Sequence, residues 1–353
     1  LKILFLYSEY VNYLDGLMRR LVEDHEATVH VVSWDKNLLK PVNIPQIPRV
    51  TFQKSSDLSV DELVELIEDF DPVMVYISGW MDAGYLAAIK RARNRKSFTT
   101  VCGFDDNWLG SFRQRLGAIY FRLSLRKYFD KAWIAGARQY HYVRQLGYAD
   151  SDIAYNLLSC DTEKFCDGVN FDQRKEASLR TFFYVGNFRD VKGTDLLAEA
   201  YKIYRETLSG SCKLVCIGQG PLREQLEDEL GITVLPYMTS SELIETTKSF
   251  DIFVFPSRKD QWGVTLHEFA VLGFPLISSS GTGATERFLI DGFNGLMFNP
   301  GDPYALAEGF KKFEEMPTET LKMFGLRSRE LGRSVTSEIS AASLVSLIPE
   351  STN

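Results

Sequence analysis

Between Phe255 and Asp302 the chain places two acids, Asp260 and Glu268, eight residues apart around a Trp262-Gly263 turn that opens a helical pattern. A third acid, Glu286, follows a second glycine-rich turn, Gly281-Thr282-Gly283. Amides at a helix start are unpaired donors at the positive end of the helix dipole, and they bind phosphate. Carboxylates accept hydrogen bonds from sugar hydroxyls but repel a bare phosphate. Two helix starts beside a small set of carboxylates therefore suit a ligand with both groups, a sugar nucleotide.

Further upstream, Val185-Gly186-Asn187 ends an apolar run and Val191-Lys192-Gly193 follows it. Lys192 can neutralise phosphate as a point cation, and Gly193 lets the chain come close to a ligand. Gly218-Gln219-Gly220-Pro221 is a tight turn into a helix. In Val234-Leu235-Pro236-Tyr237, proline has no amide to donate, which leaves Leu235 and Tyr237 as the flanking backbone groups. In the first half, Asp105-Asp106-Asn107 and Ser78-Gly79-Trp80 stand at strand ends. The three polar side chains 105–107 read equally well as helix caps or as acid/base groups.

The segment 255–302 resembles the nucleotide-sugar site of the family 4 retaining glycosyltransferases, which have the GT-B fold. Pro256-Ser257, Trp262-Gly263 and Glu268 match that family's pattern, as do Glu286, Asp291-Gly292 and Gly295; Asp260 stands where the family usually has Glu. Lys192-Gly193 matches its Lys-Gly pair, but Asn187 replaces an Arg that touches the donor pyrophosphate, with Arg189 and Arg258 as nearby substitutes. The resemblance implies donor contacts at Gly186, Asn187, Lys192, Gly218, Leu235, Tyr237, Trp262, Gly263, Val264, Thr265 and Glu268. It implies that Glu268 holds ribose and Asp260 faces the sugar. In the first domain the match is weaker: Cys102–Trp108 stands where the family has a His-containing motif, and Asp105, Asp106 and Asn107 are the side chains available there, with Asp105 and Asp106 the candidate catalytic groups. The implied reaction moves a sugar with retention from a nucleotide-sugar, by family habit a UDP-sugar, to a hydroxyl of a glycan or lipid-linked acceptor. No cofactor and no metal is implied. A GT-B sugar-nucleotide epimerase and a catalytically silent sugar-nucleotide-binding protein are the rival readings. His267 adjoins Glu268 but points about 100° away on a helix, and reads as a packed or surface side chain.

The elements that must position these residues alternate throughout. Strand-length apolar runs at residues 2–7, 29–33, 73–78, 98–102 and 132–135 are separated by helical patterns such as 61–70, 83–93 and 113–129. A second series runs through 181–185, 213–217, 233–235, 251–255 and 275–278. This is an α/β pattern of two doubly wound Rossmann-like domains, whose ligands sit at strand carboxyl ends. The first is expected over 1–168 together with a returning helix near 335–353, the second over 172–333, with the polar stretch 167–178 between them.

With 353 residues, 45% of them hydrophobic and 25% charged, the chain suits a folded globular protein. No run approaches the ~20 apolar residues of a membrane span, and no secretory leader is visible. Five scattered cysteines form no CxxC or metal spacing, as expected of reduced thiols in a cytoplasmic protein. Between Lys90 and Arg144 there are thirteen Lys/Arg against three Asp/Glu, although the whole chain carries −7. Without a nucleic-acid motif, this local charge points to a membrane surface, met through the basic and aromatic stretch 113–131, and to peripheral membrane localisation. The other reading of that stretch is a partly buried helix with a solvated basic face.

Overall fold

The computed structural model describes residues 1–34, 45–166, 179–229 and 231–349. Residues 167–178, where the sequence places the domain boundary, lie outside the described residues. The chain divides into two compact units, Leu1–Asp161 with Thr336–Asn353, and Thr162–Val335.

The strands of the first unit are β1 (Lys2–Tyr7), β2 (Thr28–Ser33), β3 (Val50–Lys54), β4 (Met74–Ile77), β5 (Thr99–Phe104), β6 (Lys131–Ile134) and β7 (Ile153–Ala154). Its helices are α1 (Leu14–His25), α2 (Val60–Phe70), α3 (Ala83–Ala92), α4 (Phe112–Tyr120) and α5 (Ala137–Gln145). The sheet is parallel, in the order β3-β2-β1-β4-β5-β6-β7. Central strands such as β1 and β5 are almost wholly buried, because crossover helices cover both faces of a parallel sheet. Local signals place the helices. The Ser59 hydroxyl accepts from the Glu62 amide while Glu62 accepts from the Ser59 amide, a reciprocal cap that starts α2. Asp71, left-handed at φ 49° and followed by Pro72, ends it.

The second unit contains β8 (Thr181–Asn187), α6 (Thr194–Glu206), β9 (Lys213–Gln219), α7 (Arg223–Asp228), β10 (Ile232–Leu235), α8 (Ser240–Thr247), β11 (Ile252–Phe255), α9 (Val264–Leu272), β12 (Leu276–Ser279), α10 (Thr285–Phe288), β13 (Gly295–Phe298), α11 (Pro303–Glu315) and α12 (Thr318–Gly332). Its sheet is also parallel, in the order β10-β9-β8-β11-β12-β13. Phe182, Tyr184, Tyr201, Tyr204 and Phe310 fill its core between sheet and helices. The last helix, α13 (Ser337–Val345), belongs to the first unit. There the Ser340 hydroxyl donates to the Asn156 carbonyl at 2.8 Å, and Arg19 pairs with the buried Asp161 at 2.5 Å at the end of the same segment.

Three strands go beyond the sequence reading, and all lie at sheet edges: β3, β7 and β13. β3 and β7 are only partly buried and lack the continuous apolar run that marked the others, while β13, Gly-Leu-Met-Phe, is apolar but only four residues long. The stretch expected as one helix over 113–129 is α4, then a wide π turn over Phe121–Leu125 and a 3₁₀ turn over Arg126–Tyr128.

His267 is a core residue of α9. It is fully buried, stacks on Phe288 with ring centroids 4.0 Å apart, and donates from Nε2 to the Gly332 carbonyl at 2.8 Å. Burial lowers its pKa to about 4, against hydrogen bonds to the Gly332 and Val335 backbone that act to raise it. Between that value and the ordinary 6.5 only the unfolded chain binds the proton, so stability falls as pH drops through this window. Comparing wild type with His267→Gln from pH 6.5 to 5, the wild type should lose about 2 kcal/mol more. Parallel pH profiles from denaturant melts would contradict a buried neutral imidazole.

Candidate active site

In an open α/β sheet the ligand crevice lies at strand carboxyl ends, where the strand order reverses. In the second unit that point lies between β8 and β11. The chain leaving β8 forms a 3₁₀ turn over Asp190–Lys192 and enters α6 at Gly193. Gly193 is left-handed at φ 70°, and a Cβ there would overlap the Pro256 carbonyl. Only glycine meets both demands. The chain leaving β11 runs alongside, with the Arg258 amide donating to the Val191 carbonyl at 3.0 Å.

That contact brings together two residues separated by 68 positions. Lys192 Nζ lies 2.6 Å from Asp260 Oδ2. Their side chains are 29% and 14% exposed, so the pair is partly shielded yet open to a ligand. The cation expected at phosphate and the carboxylate expected at the sugar therefore hold one another.

Arg258 is committed elsewhere. Its guanidinium grips Asp195 at 2.5 and 2.7 Å and donates to the Asp190 carbonyl at 2.7 Å. Burial opposes ionisation of Asp195, but hydrogen bonds from Arg258 and backbone amides outweigh it and hold that carboxyl below its usual range. Arg258 thus braces the loop, with its guanidinium already engaged. Arg189 is exposed and makes no ion pair among the described residues.

The loop carrying Asp260 is laced to the Gly281-Thr282-Gly283 turn. Gly283 N donates to Asp260 O at 3.0 Å and Ala284 N to Trp262 O at 2.7 Å. Gly263, left-handed at φ 92°, opens α9 in a space where a Cβ would press on Phe255 and Thr282. Its helix starts with the amides of Val264 and Thr265, which have no partner among the described residues. The second expected helix start is corrected. The four-residue α10 already uses its first amides, Thr285 to Thr282 O and Glu286 to Gly283 O, both at 3.3 Å.

Glu268 is half-buried in the second turn of α9, and Glu286 is exposed. The Trp262 ring is 5% exposed and meets Phe288 edge-on, so it holds the loop from beneath. Ser257 Oγ, Thr282 Oγ1 and Trp262 Nε1 are buried polar atoms without a partner among the described residues. Such atoms are rare because each costs the desolvation of the group. All three lie on the two laced loops, where water or a ligand would satisfy them. Gly186 and Asn187 end β8, Gly218 belongs to β9, Leu235 closes β10, and Tyr237 beyond it is 49% exposed.

In the first unit the strand order reverses between β1 and β4. A cavity of about 220 Å³ opens there, lined by Tyr7, Tyr13, Tyr76, Ser78, Gly103 and Asp105, among others. Burial raises the pKa of Tyr7 and Tyr76 well above the ordinary value and that of Tyr13 to about 12, so all three remain neutral hydroxyls. Asp105 lines this cavity and Asp106 does not. Asn107 is held by Gln139, whose amide donates to Asn107 Oδ1 and to the Asp105 carbonyl, both at 2.8 Å. Trp80 packs against Phe121 in the core, while its neighbour Ser78 reaches the cavity. The sequence reading missed the tyrosines; their signal was hydroxyl aromatics at or just after strand ends beside the reversal.

Among the described residues no group of three or more His, Cys, Asp or Glu is placed to hold a metal. The Asp-x-Asp triplet Asp150–Asp152 is taken up by structural pairs, Asp152 with Arg126 and Lys131 at 2.9 and 2.8 Å. Among the described residues no helix is long and apolar enough to cross a membrane.

Residues 169–331 match the family described as glycosyl transferases group 1. The chain is similar to D-rhamnosyltransferase WbpZ of Pseudomonas aeruginosa, 30% identical over 160 residues, covering 42% of this chain and 40% of that protein. It is also similar to O-antigen chain mannosyltransferase C of Escherichia coli, 31% identical over 157 residues, with the same two coverages of 42% and 40%. The match thus spans about two fifths of the length of these relatives. Among solved structures, a glycosyltransferase from Rickettsia africae superposes with a TM-score of 0.76 at 13% identity, covering 98% of this chain and 97% of that one. Anabaena HepE in complex with UDP gives 0.74 at 14% identity, covering 98% of each chain. The fold is GT-B, two doubly wound α/β units.

Proposed function

We propose that this GT-B chain, with its glycosyl transferases group 1 match across the second unit, transfers a hexose from a nucleotide-sugar to a hydroxyl of a glycan acceptor. The observation that carries the reading is the Lys192–Asp260 pair at the strand-order reversal of the second unit, beside the unpaired amides of Val264 and Thr265. A cation and a helix start suit a leaving diphosphate, and electrostatic stabilisation of that group is the main term in such a transfer. The carboxylate suits the sugar. Glu268, in the same helix, would accept from ribose hydroxyls, and the segment around Leu235 and Tyr237 would hold the base. Solved relatives bound to UDP, UDP-glucose and UDP-2-fluoro glucose support a UDP-sugar donor. The hydroxyl-lined cavity of the first unit, with Asp105 at its wall, suits an acceptor sugar. Retention of anomeric configuration follows from the family pattern around Asp260 and Glu268.

Titration with UDP- and GDP-sugars identifies the donor, and NMR of the product on a glycan acceptor reads its anomer. Glu268→Ala should weaken donor binding about tenfold or more, since a hydrogen bond to a charged group contributes roughly 1.5–3 kcal/mol. Unchanged donor affinity in that variant removes the ribose role. Donor isomerised without acceptor would identify an epimerase instead.

A further inference from the structure

Helix α4 and the wide turn after it are apolar on the side that faces outward. Ala118, Phe121 and Leu125 are buried and anchor the segment to the first unit's core. On the opposite side Phe112, Leu116, Ile119, Tyr120 and Leu123 are 78%, 51%, 55%, 52% and 80% exposed. Their spacing of 4, 3, 1 and 3 residues lines them up as one stripe, about 17 Å long at 1.5 Å per residue. Single exposed apolar residues need no explanation, whereas a contiguous exposed stripe marks a contact surface.

The charges around the stripe identify what it contacts. At 100° per residue, Arg113 falls on one flank and Arg115 and Arg122 on the other. All three are exposed and make no ion pair among the described residues. From Asn107 to Phe129 there are five Lys/Arg and no Asp/Glu. A rim of cations around exposed aliphatic and aromatic side chains complements an anionic bilayer, whose phosphates meet the cations while the acyl boundary takes the apolar side chains. The structure also corrects which basic residues are available. Arg126 is spent inside the fold, on Asp152 at 2.9 Å, the Gly147 carbonyl at 3.3 Å and the Tyr148 ring at 4.1 Å. Lys127 lies over the Tyr128 ring at 5.1 Å.

We propose that α4 and its following turn dock the protein on an anionic membrane surface. Phe112, Leu116, Ile119, Tyr120 and Leu123 enter the boundary between headgroups and acyl chains, and Arg113, Arg115 and Arg122 meet lipid phosphates. The test reads vesicle binding alone, so its outcome and that of the transfer reading are scored separately.

The full chain is co-sedimented with vesicles of phosphatidylcholine alone and of phosphatidylcholine mixed with phosphatidylglycerol. The wild type should bind the mixed vesicles and leave the neutral ones largely unbound. Leu116→Gln with Leu123→Gln should weaken binding at least about tenfold, because each side chain loses its burial in lipid. Changing Arg113, Arg115 and Arg122 to Gln should cost about fivefold per residue at low salt, and added salt should erase the difference. Since all five positions are exposed, melting temperatures should stay at the wild-type value, which separates lost docking from lost folding. Equal binding to both vesicle types, or full binding by the double Leu variant, overturns the proposal. A lipid-free dimer that the double Leu variant dissociates would show the stripe to be covered by a second copy of this chain, and overturns it too.

Discussion

Asp260→Asn is expected to lower kcat about a hundredfold or more while leaving donor binding intact or tighter. The substitution keeps the shape and removes the charge. In the proposed transfer, bond breaking at the anomeric carbon builds positive charge on the sugar, as in glycosidase chemistry. A carboxylate at that centre stabilises the transition state more than the bound substrate, so its loss appears in kcat. Removing one such preorganised group commonly costs a factor of 10² to 10³. The ground state behaves in the opposite direction. Asp260 now occupies Lys192 at 2.6 Å, and an incoming phosphate must compete for that cation. With Asn at 260, Lys192 is released, and diphosphate affinity should rise by up to about fivefold, the upper range for a partly exposed ion pair. Initial rates with saturating acceptor, together with donor titration, measure both numbers. A wild-type kcat would take Asp260 away from the reacting carbon.

The parts legible in the sequence were those written in short range. Parallel strands carry unbroken apolar runs, so β1, β8 and β11 stood out, while β3, β7 and β13 at the edges did not. Gly193 was readable as a close-approach glycine and Gly263 as a turn glycine because turn chemistry is local, and both are left-handed in the structure. Side-chain pairing across the fold was not readable. Nothing in one sequence says that Arg258 turns back to Asp195, 63 residues away, or that Lys192 meets Asp260 across 68. The same limit hides the partners of Arg126: its basic, helical neighbourhood gives no hint of Asp152 or of the Tyr148 ring. The tyrosine-lined cavity depends on the sheet order, which brings Tyr7 and Tyr76 from β1 and β4 together. His267 went the other way. Its neighbour Glu268 was the informative residue, and the imidazole is packing.

Lys192→Ala tests the phosphate end of the site, and its effect should depend on the ligand. A nucleoside lacks the group that Lys192 would meet, so its affinity should stay at the wild-type value. Nucleoside diphosphate should bind about tenfold or more weakly, because a charge-assisted hydrogen bond contributes roughly 1.5–3 kcal/mol. The coupling to Asp260 sharpens the test. In the wild-type background Asp260→Asn frees the lysine and tightens diphosphate binding; in the Lys192→Ala background there is no lysine to free, and the gain should vanish. The two single variants and the double variant thus form a cycle whose non-additive term reports competition between carboxylate and phosphate for one cation. Arg189→Ala should add its own loss independently, since Arg189 has no ion pair to surrender among the described residues. If nucleoside and diphosphate weaken equally in Lys192→Ala, or if the Asp260→Asn gain persists without the lysine, then Lys192 only ties two loops together, and the diphosphate lies elsewhere.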